Sequence, residues 1–132
     1  MALPMGSPTS TAVKICGLTK IFQAKSIAEL GVDAIGVVGV ENSPRYLAEP
    51  QRRELFAELD SYKPELQRVW VVADLDACQV AAALQGEGAP SVVQLHGKET
   101  PEQCASLRLR HPNTQWWKAL RLRSQEDLHL AQ

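Results

Sequence analysis

Cysteine is scarce in this 132-residue chain, and the three cysteines that occur, Cys16, Cys78 and Cys104, lie far apart. Their odd number and the absence of any C-x-x-C pattern argue against both a disulfide framework and a zinc site. We therefore expect a protein of a reducing compartment, the cytoplasm, with no metal ion.

The chain also lacks an excess of charge of either sign and any long hydrophobic run. Fourteen basic residues face fifteen acidic ones, a formal net charge of −1, so nothing indicates a surface for nucleic acid or for an anionic membrane. No run approaches the roughly 18 apolar residues that a membrane span requires, and residues 1–11 have neither the basic nor the apolar region of a secretion signal. We expect residues 1–11 to be a loose extension, and the partner to be a small molecule.

From Val13 onward, short apolar runs alternate with helical patterns, which is typical of successive βα units around a parallel sheet. The apolar runs predict five strands, at residues 13–16, 34–38, 69–73, 91–95 and 115–120. Four complete helices are expected between them, the first beginning at Thr19 and the fourth at Thr100, and a fifth opens at Ser124. An open doubly wound sheet and an incomplete (β/α)8 barrel both fit this α/β pattern, and periodicity does not choose between them.

Residues able to carry chemistry follow three of these strands, at the carboxyl ends where parallel α/β folds place their ligand sites. The segments are residues 14–19 (KICGLT), 43–46 (SPRY) and 94–97 (QLHG). On position alone each residue also has a simpler interpretation. Cys16 could be a small buried hydrophobe, Arg45 a solvated surface residue, and His96 a hydrogen-bonded structural residue.

Taken together, the three segments resemble the N-terminal part of phosphoribosylanthranilate isomerase, a (β/α)8-barrel family that performs an Amadori rearrangement in tryptophan biosynthesis. The resemblance runs from residue 13 to residue 132 and favours the barrel over the doubly wound sheet. It implies that residues 12–132 are the N-terminal portion of a TIM-barrel domain truncated after strand five, because such a barrel needs at least about 200 residues.

The resemblance also implies roles for four residues. Cys16 matches the general base that removes the C2′ proton of the opened sugar, a task for which a thiol needs a stabilised thiolate or a shared proton near neutral pH. Arg45 matches the residue that holds the anthranilate carboxylate, which suits its planar fork of donors. His96 is expected beside the substrate, with Gln94 in support.

By the same resemblance the substrate is N-(5-phosphoribosyl)anthranilate, and no cofactor takes part. The family's general acid is an aspartate at the end of strand six, and its phosphate is held by loops after strands seven and eight, beyond these 132 residues. We therefore expect little or no isomerase activity from this chain alone. Two other readings stay open: half of a split barrel completed by a C-terminal half-barrel, or a non-catalytic binding domain that self-associates through its sheet edges.

Five further residues carry lesser expectations. Asp74 and Asp76 are expected to begin the third helix, since aspartate is favoured at helix caps and in first turns. Lys118 is expected to face the interior of the barrel. Trp116 and Trp117 are adjacent on a strand, so one ring should point inward and the other outward.

Overall fold

The structure is a computed structural model that describes residues 11–122 and 124–126. In that part of the chain five strands alternate with four helices. They are β1 (Lys14–Cys16), α1 (Ile21–Glu29), β2 (Ala34–Val38), α2 (Glu49–Tyr62), β3 (Gln67–Val72), α3 (Ala77–Ala83), β4 (Val92–Leu95), α4 (Pro101–Arg110) and β5 (Gln115–Lys118).

The five strands form one parallel sheet in the order β1-β2-β3-β4-β5. Each strand is added beside the one before it, whereas a doubly wound sheet reverses direction at a switch point. The sheet is also strongly curved. Lys14 of β1 donates a hydrogen bond to Gln94 of β4, although three strand spacings would separate these strands by about 14 Å in a flat sheet. The expected incomplete barrel is confirmed, and within the described residues the sheet does not close on itself.

Alternation of side chains along the strands gives the sheet two different faces. The outer face packs against the helices in one large apolar cluster that includes Ile35, Trp70 and Val93, together with Phe56 of α2. The inner face holds a smaller cluster of buried residues, against which one cysteine and one tryptophan pack: Ala34, Val69, Val71, Val92, Cys16 and Trp117. The strands are therefore covered on the helix side and open on the other.

Helix boundaries follow local signals in most places. Thr100 caps α4, accepting a hydrogen bond from the Gln103 N–H while the Gln103 side chain binds the Thr100 N–H, as predicted. Helix α1 begins at Ile21 rather than at Thr19, and its N-cap residue, Lys20, gives no side-chain hydrogen bond. The weaker cap leaves the start of α1 to be set by packing.

The remaining expectations concern the ends of the chain. Gln125 and Glu126, which follow Ser124, are helical, in agreement with the start of a fifth helix, and the residues beyond them lie outside the described part. Of the expected extension at residues 1–11, all but Thr11 also lie outside it. No helix among the described residues is long and apolar enough to cross a membrane.

Candidate functional site

Cys16 is the last residue of β1 and lies half-buried against the inner-face cluster. The chain leaves the strand through Gly17, whose φ of 88° is a left-handed conformation that favours glycine. The Gly17 N–H donates to the carbonyl oxygen of Gly36 at 2.9 Å. A side chain at Gly17 would also collide with the Arg45 guanidinium. The turn therefore leaves the thiol at the carboxyl edge of the sheet with room for an arginine beside it.

Arg45 reaches this edge from the loop between β2 and α2. A tight turn fixes the loop, since the Arg45 N–H donates to Ser43 Oγ at 3.2 Å and the Tyr46 N–H donates to the Ser43 carbonyl at 3.1 Å. The Arg45 Nη1 then donates to the Cys16 carbonyl oxygen at 3.3 Å. The side chain is exposed, and a guanidinium has further donors for an anion such as a carboxylate.

Gln94 and His96 lie at the end of β4. Gln94 stands two positions after Val92 on β4, so its side chain also points to the inner face. Its Oε1 accepts a hydrogen bond from Lys14 Nζ. His96 is exposed, and its N–H donates to the Val72 carbonyl at 2.8 Å. Within the described residues its imidazole makes no hydrogen bond. The structure thus joins Cys16 to Arg45 directly and brings Gln94 to the same face through Lys14, while His96 lies at the edge without contacting them.

Lys14 is the residue that motif reasoning missed. It stands two positions before Cys16 on the same strand, so both side chains point to the inner face. Its ammonium reaches Gln94 and lies 6.0 Å from the centre of the Trp117 ring. The alternation was visible in the sequence, but the contact with β4 depends on the curvature of the sheet.

Lys118 does not face the interior, and that prediction is wrong. Lys118 stands two positions after Trp116 on β5, so both side chains point to the same face of the sheet. Trp116 packs against the outer-face cluster, whereas Trp117 packs on the inner face. The Lys118 Nζ donates to the Gly97 carbonyl at 2.6 Å and to Glu99 Oε1 at 2.7 Å. The prediction of one inward and one outward tryptophan is confirmed.

Glu99, in the loop between β4 and α4, has a side chain that is 7% exposed. Its carboxylate accepts hydrogen bonds from the backbone N–H groups of Asp74 at 2.8 Å and Gly97 at 3.0 Å, besides the Lys118 ammonium. Burial raises the pKa of Glu99, but the hydrogen bonds from Lys118 and from the backbone outweigh it, so that the pKa is lowered from its ordinary value of 4.5. Glu99 thus ties the β4–α4 loop to β5 and to the loop after β3.

The two aspartates after β3 have different tasks. Asp76 caps α3 as expected, accepting a hydrogen bond from the Gln79 N–H at 2.8 Å. Asp74 lies before the cap, not in the helix, with a left-handed φ of 54°. Its Oδ1 accepts from the Lys98 N–H at 2.8 Å, so that it holds the loop that carries Gly97 rather than starting a helix.

Within the described part of the chain, Cys16 belongs to no candidate metal cluster. Across residues 11–122 and 124–126, no group of three or more histidine, cysteine, aspartate or glutamate side chains could hold a metal ion. Two cavities, of about 440 and 470 Å³, have residues of the outer-face cluster in their walls, among them Val72 and Leu107 in one and Trp70 in the other. Cys16 and Arg45 lie at the carboxyl edge of the sheet and line neither of these cavities.

These features define a class: a parallel α/β barrel segment whose reactive side chains stand at the carboxyl ends of its strands. Comparison with known families narrows the class. Residues 13–131 match the family model of N-(5'phosphoribosyl)anthranilate (PRA) isomerase. The chain belongs to the PRA isomerase family, as its three strand-end segments predicted.

Individual relatives agree with the family. The chain is 43% identical over 121 residues to the N-(5'-phosphoribosyl)anthranilate isomerase of Thermosynechococcus vestitus, an alignment that covers 92% of this chain and 51% of that protein. A crystal structure of phosphoribosyl anthranilate isomerase in complex with reduced 1-(o-carboxyphenylamino)-1-deoxyribulose 5-phosphate superposes with a TM-score of 0.83 at 30% identity, covering 92% of this chain and 59% of the other.

A monomeric form of the dimeric isomerase from Thermotoga maritima superposes with a TM-score of 0.81 at 29% identity, again over 92% of this chain and 59% of the other. The chain spans about half the length of the curated relatives that it matches. The described residues supply five strands and four helices of the fold that these structures share.

Proposed function

We propose that this chain supplies the proton-abstracting half of a PRA isomerase active site, which acts on N-(5-phosphoribosyl)anthranilate in tryptophan biosynthesis in the cytoplasm. The observation that carries the proposal is the hydrogen bond from the Arg45 guanidinium to the Cys16 carbonyl. It sets an anion-binding group beside a half-buried thiol at the edge where barrels bind their ligands. The carboxyphenylamino sugar phosphate bound to the related isomerase has the carboxylate that such a pair would require.

In the proposed reaction an acid protonates the ring oxygen, the bond between this oxygen and C1′ breaks, and the lone pair of the anthranilate nitrogen forms a C1′=N iminium. The Cys16 thiolate then takes the proton from C2′, the electrons of the broken C–H bond form the C1′–C2′ double bond of an enolamine, and the C1′=N π pair returns to nitrogen. Tautomerisation moves a proton to C1′ and leaves a ketone at C2′. The base and the acid need opposite protonation states at the same pH, which is why separate groups perform the two steps.

Arg45 holds the anthranilate carboxylate in this proposal. Its Nη1 is directed to Cys16, which leaves the remaining N–H groups of the exposed fork for two parallel hydrogen bonds to a carboxylate. His96, exposed at the end of β4, contacts the substrate from the opposite side of the open face. Gln94 supports the site through Lys14 rather than by transferring protons.

The general acid and the phosphate site belong to strands six to eight of the family's barrel, so the proposed site is completed by a C-terminal half-barrel. Strands β1 and β5 favour such a completion, because each pairs with a single strand in the described sheet and leaves its other edge open. The same edges would also serve self-association, the second candidate. The dimeric state of the Thermotoga maritima relative is an argument for it.

Mixing this chain with the C-terminal half of the Thermosynechococcus vestitus enzyme tests the proposal. We expect turnover of PRA by the mixture and little or none by either part. In the active mixture Cys16→Ser should lower kcat at least about a hundredfold, the usual size of a general-base contribution. Cys78→Ser is the control, since Cys78 is exposed on α3. Equal turnover by the Cys16 and Cys78 variants would contradict the assignment of the base.

Arg45→Lys tests the carboxylate contact in the same mixture. A lysine keeps the charge but loses the planar fork, so KM should rise about tenfold while kcat changes less. The matched control is Arg108→Lys, an exposed arginine in the last turn of α4. An unchanged KM for the Arg45 variant would remove Arg45 from the substrate site.

A further inference from the structure

The space around the Cys16 thiol is shaped by a residue without a side chain. Gly36 of β2 stands directly opposite Cys16 in the parallel register. A Cβ atom placed on Gly36 would lie 2.9 Å from Cys16 Sγ and 3.0 Å from Lys14 Cε. Real Cβ atoms rarely come this close to other heavy atoms, so the thiol and the lysine side chain occupy the space that a side chain at Gly36 would need.

The same two distances place Lys14 next to the sulfur. Because Cys16 Sγ and Lys14 Cε each lie within about 3 Å of one point, they are at most about 6 Å apart. The ammonium nitrogen is one bond of about 1.5 Å beyond Cε, so it lies at most about 7.5 Å from Sγ. A nearby lysine is a known means of favouring a thiolate.

The ammonium group of Lys14 has a hydrogen-bond acceptor, but no described carboxylate neutralises its charge. Its Nζ donates to the neutral Gln94 Oε1 and lies 6.0 Å from the centre of the Trp117 ring. The salt bridges of the described residues include no carboxylate partner for Lys14, although its side chain is half-buried. A half-buried ammonium with only neutral neighbours is available to an anion, and Cys16 Sγ is the adjacent atom that can become one.

We propose that Lys14 is a positioning residue whose ammonium group favours the thiolate form of Cys16, with Gln94 holding the ammonium in place and Gly36 giving it room. The use of that thiolate as a base rests on the proposed function. The effect of Lys14 on the reactivity of the thiol does not, because alkylation of a thiolate needs no isomerase substrate.

The test measures alkylation of Cys16 by iodoacetamide from pH 6 to pH 9, followed by mass spectrometry. A background with Cys78→Ser and Cys104→Ala leaves Cys16 as the single thiol. Lys14→Met keeps the length of the side chain without its charge, and we expect alkylation at pH 7 to slow about fivefold, with the rate profile displaced to higher pH. Lys14→Arg should restore most of the rate.

Lys25→Met is the matched control, because Lys25 pairs with Glu58 at 3.0 Å on the helix side of the sheet. Its alkylation rate should equal that of the background protein. Gly36→Ala should alter the rate while Lys14 is still present, since the added methyl group displaces the thiol from the lysine. Circular dichroism confirms that each variant is folded.

A folded Lys14→Met variant that reacts at the rate of the Lys25 control would overturn the proposal. If Lys14→Met does not fold, Gln94→Leu replaces it. Releasing the ammonium from its acceptor should slow alkylation about twofold, and an unchanged rate would again refute the role. If Lys14 controls the thiol but Cys16→Ser leaves isomerase turnover intact, the proposed function fails while this inference stands.

Discussion

The two faces of the sheet differ in what they are made of and in how they are covered. The outer face is part of a continuous apolar cluster with the helices, in which Ile35, Val37 and Phe56 are 0% exposed. The inner face has a small buried cluster and three polar residues at or near the carboxyl edge, Lys14, Cys16 and Gln94. The comparison teaches that one side of each strand packs against the helices, while the other side carries the residues of the proposed site.

The largest effect should come from the outer face. Phe56→Ala removes a fully buried ring between α2 and the sheet, and we expect the free energy of unfolding to fall by about 3 to 5 kcal/mol. Phe22→Ala is the control, because Phe22 is 66% exposed on α1 and should change stability by less than about 0.5 kcal/mol. Urea denaturation followed by circular dichroism measures both. Similar losses for the two variants would show that the helices do not cover the sheet as described.

A second stability test compares two adjacent residues of β4 whose side chains lie on opposite faces of the sheet. Val92 and Val93 are both 0% exposed, yet Val92 lies in the inner-face cluster and Val93 in the outer one. Val93→Ala should cost about 2 to 3 kcal/mol, since two lost methyl groups leave a cavity in a large core. Val92→Ala should cost about 1 to 2 kcal/mol, because the inner-face cluster is smaller and can relax around the smaller side chain. A larger loss at Val92 would mean that the inner-face cluster is packed more rigidly than the outer one.

Local signals were sufficient for much of the fold. The prediction of β2 from an uninterrupted apolar run is confirmed with the same bounds. The predicted cap of α4 by Thr100 and Gln103 is confirmed as well. Both features depend on residues that are close together along the chain. The positions of Cys16, Arg45 and Gln94 at strand ends were predictable for the same reason. The family resemblance added their proposed roles, which position alone could not give.

Long-range contacts were not predictable in this way. The contact between Lys14 and Gln94 joins residues 80 positions apart and requires the curvature of four strands. The prediction that the Lys118 side chain faces the interior was wrong for a related reason. All four residues of β5 are half-buried, so alternation gives two sets of side chains but does not tell which set meets the helices. Only the packing of Trp116 and Trp117 on opposite clusters decides it.

An effect no larger than that of Val92→Ala, which tests the corrected direction of the Lys118 side chain, concerns Glu99. Its pKa is lowered in the folded protein, so its contribution is complete above the ordinary value of 4.5 and is lost as the pH falls through the lowered folded value. Glu99→Gln should therefore reduce stability at pH 7 by about 1 to 2 kcal/mol, the size expected for hydrogen bonds to a charged group, and should flatten the dependence of stability on pH below about 5. Glu102→Gln, exposed in the first turn of α4, is the control.

Denaturation midpoints at pH 7, 5 and 3.5 separate the possibilities for this edge of the sheet. If Lys118 and the backbone of Asp74 and Gly97 hold the carboxylate as the structure shows, the two variants differ most at pH 7, and the difference shrinks as the pH falls below the ordinary value of 4.5. If Lys118 instead turned to the inner face, Glu99 would lose its ammonium partner while burial continued to raise its pKa. Only the backbone hydrogen bonds would then oppose the cost of burying the charge, so Glu99→Gln would cost little or no stability at pH 7, and the direction assigned to the Lys118 side chain would be wrong.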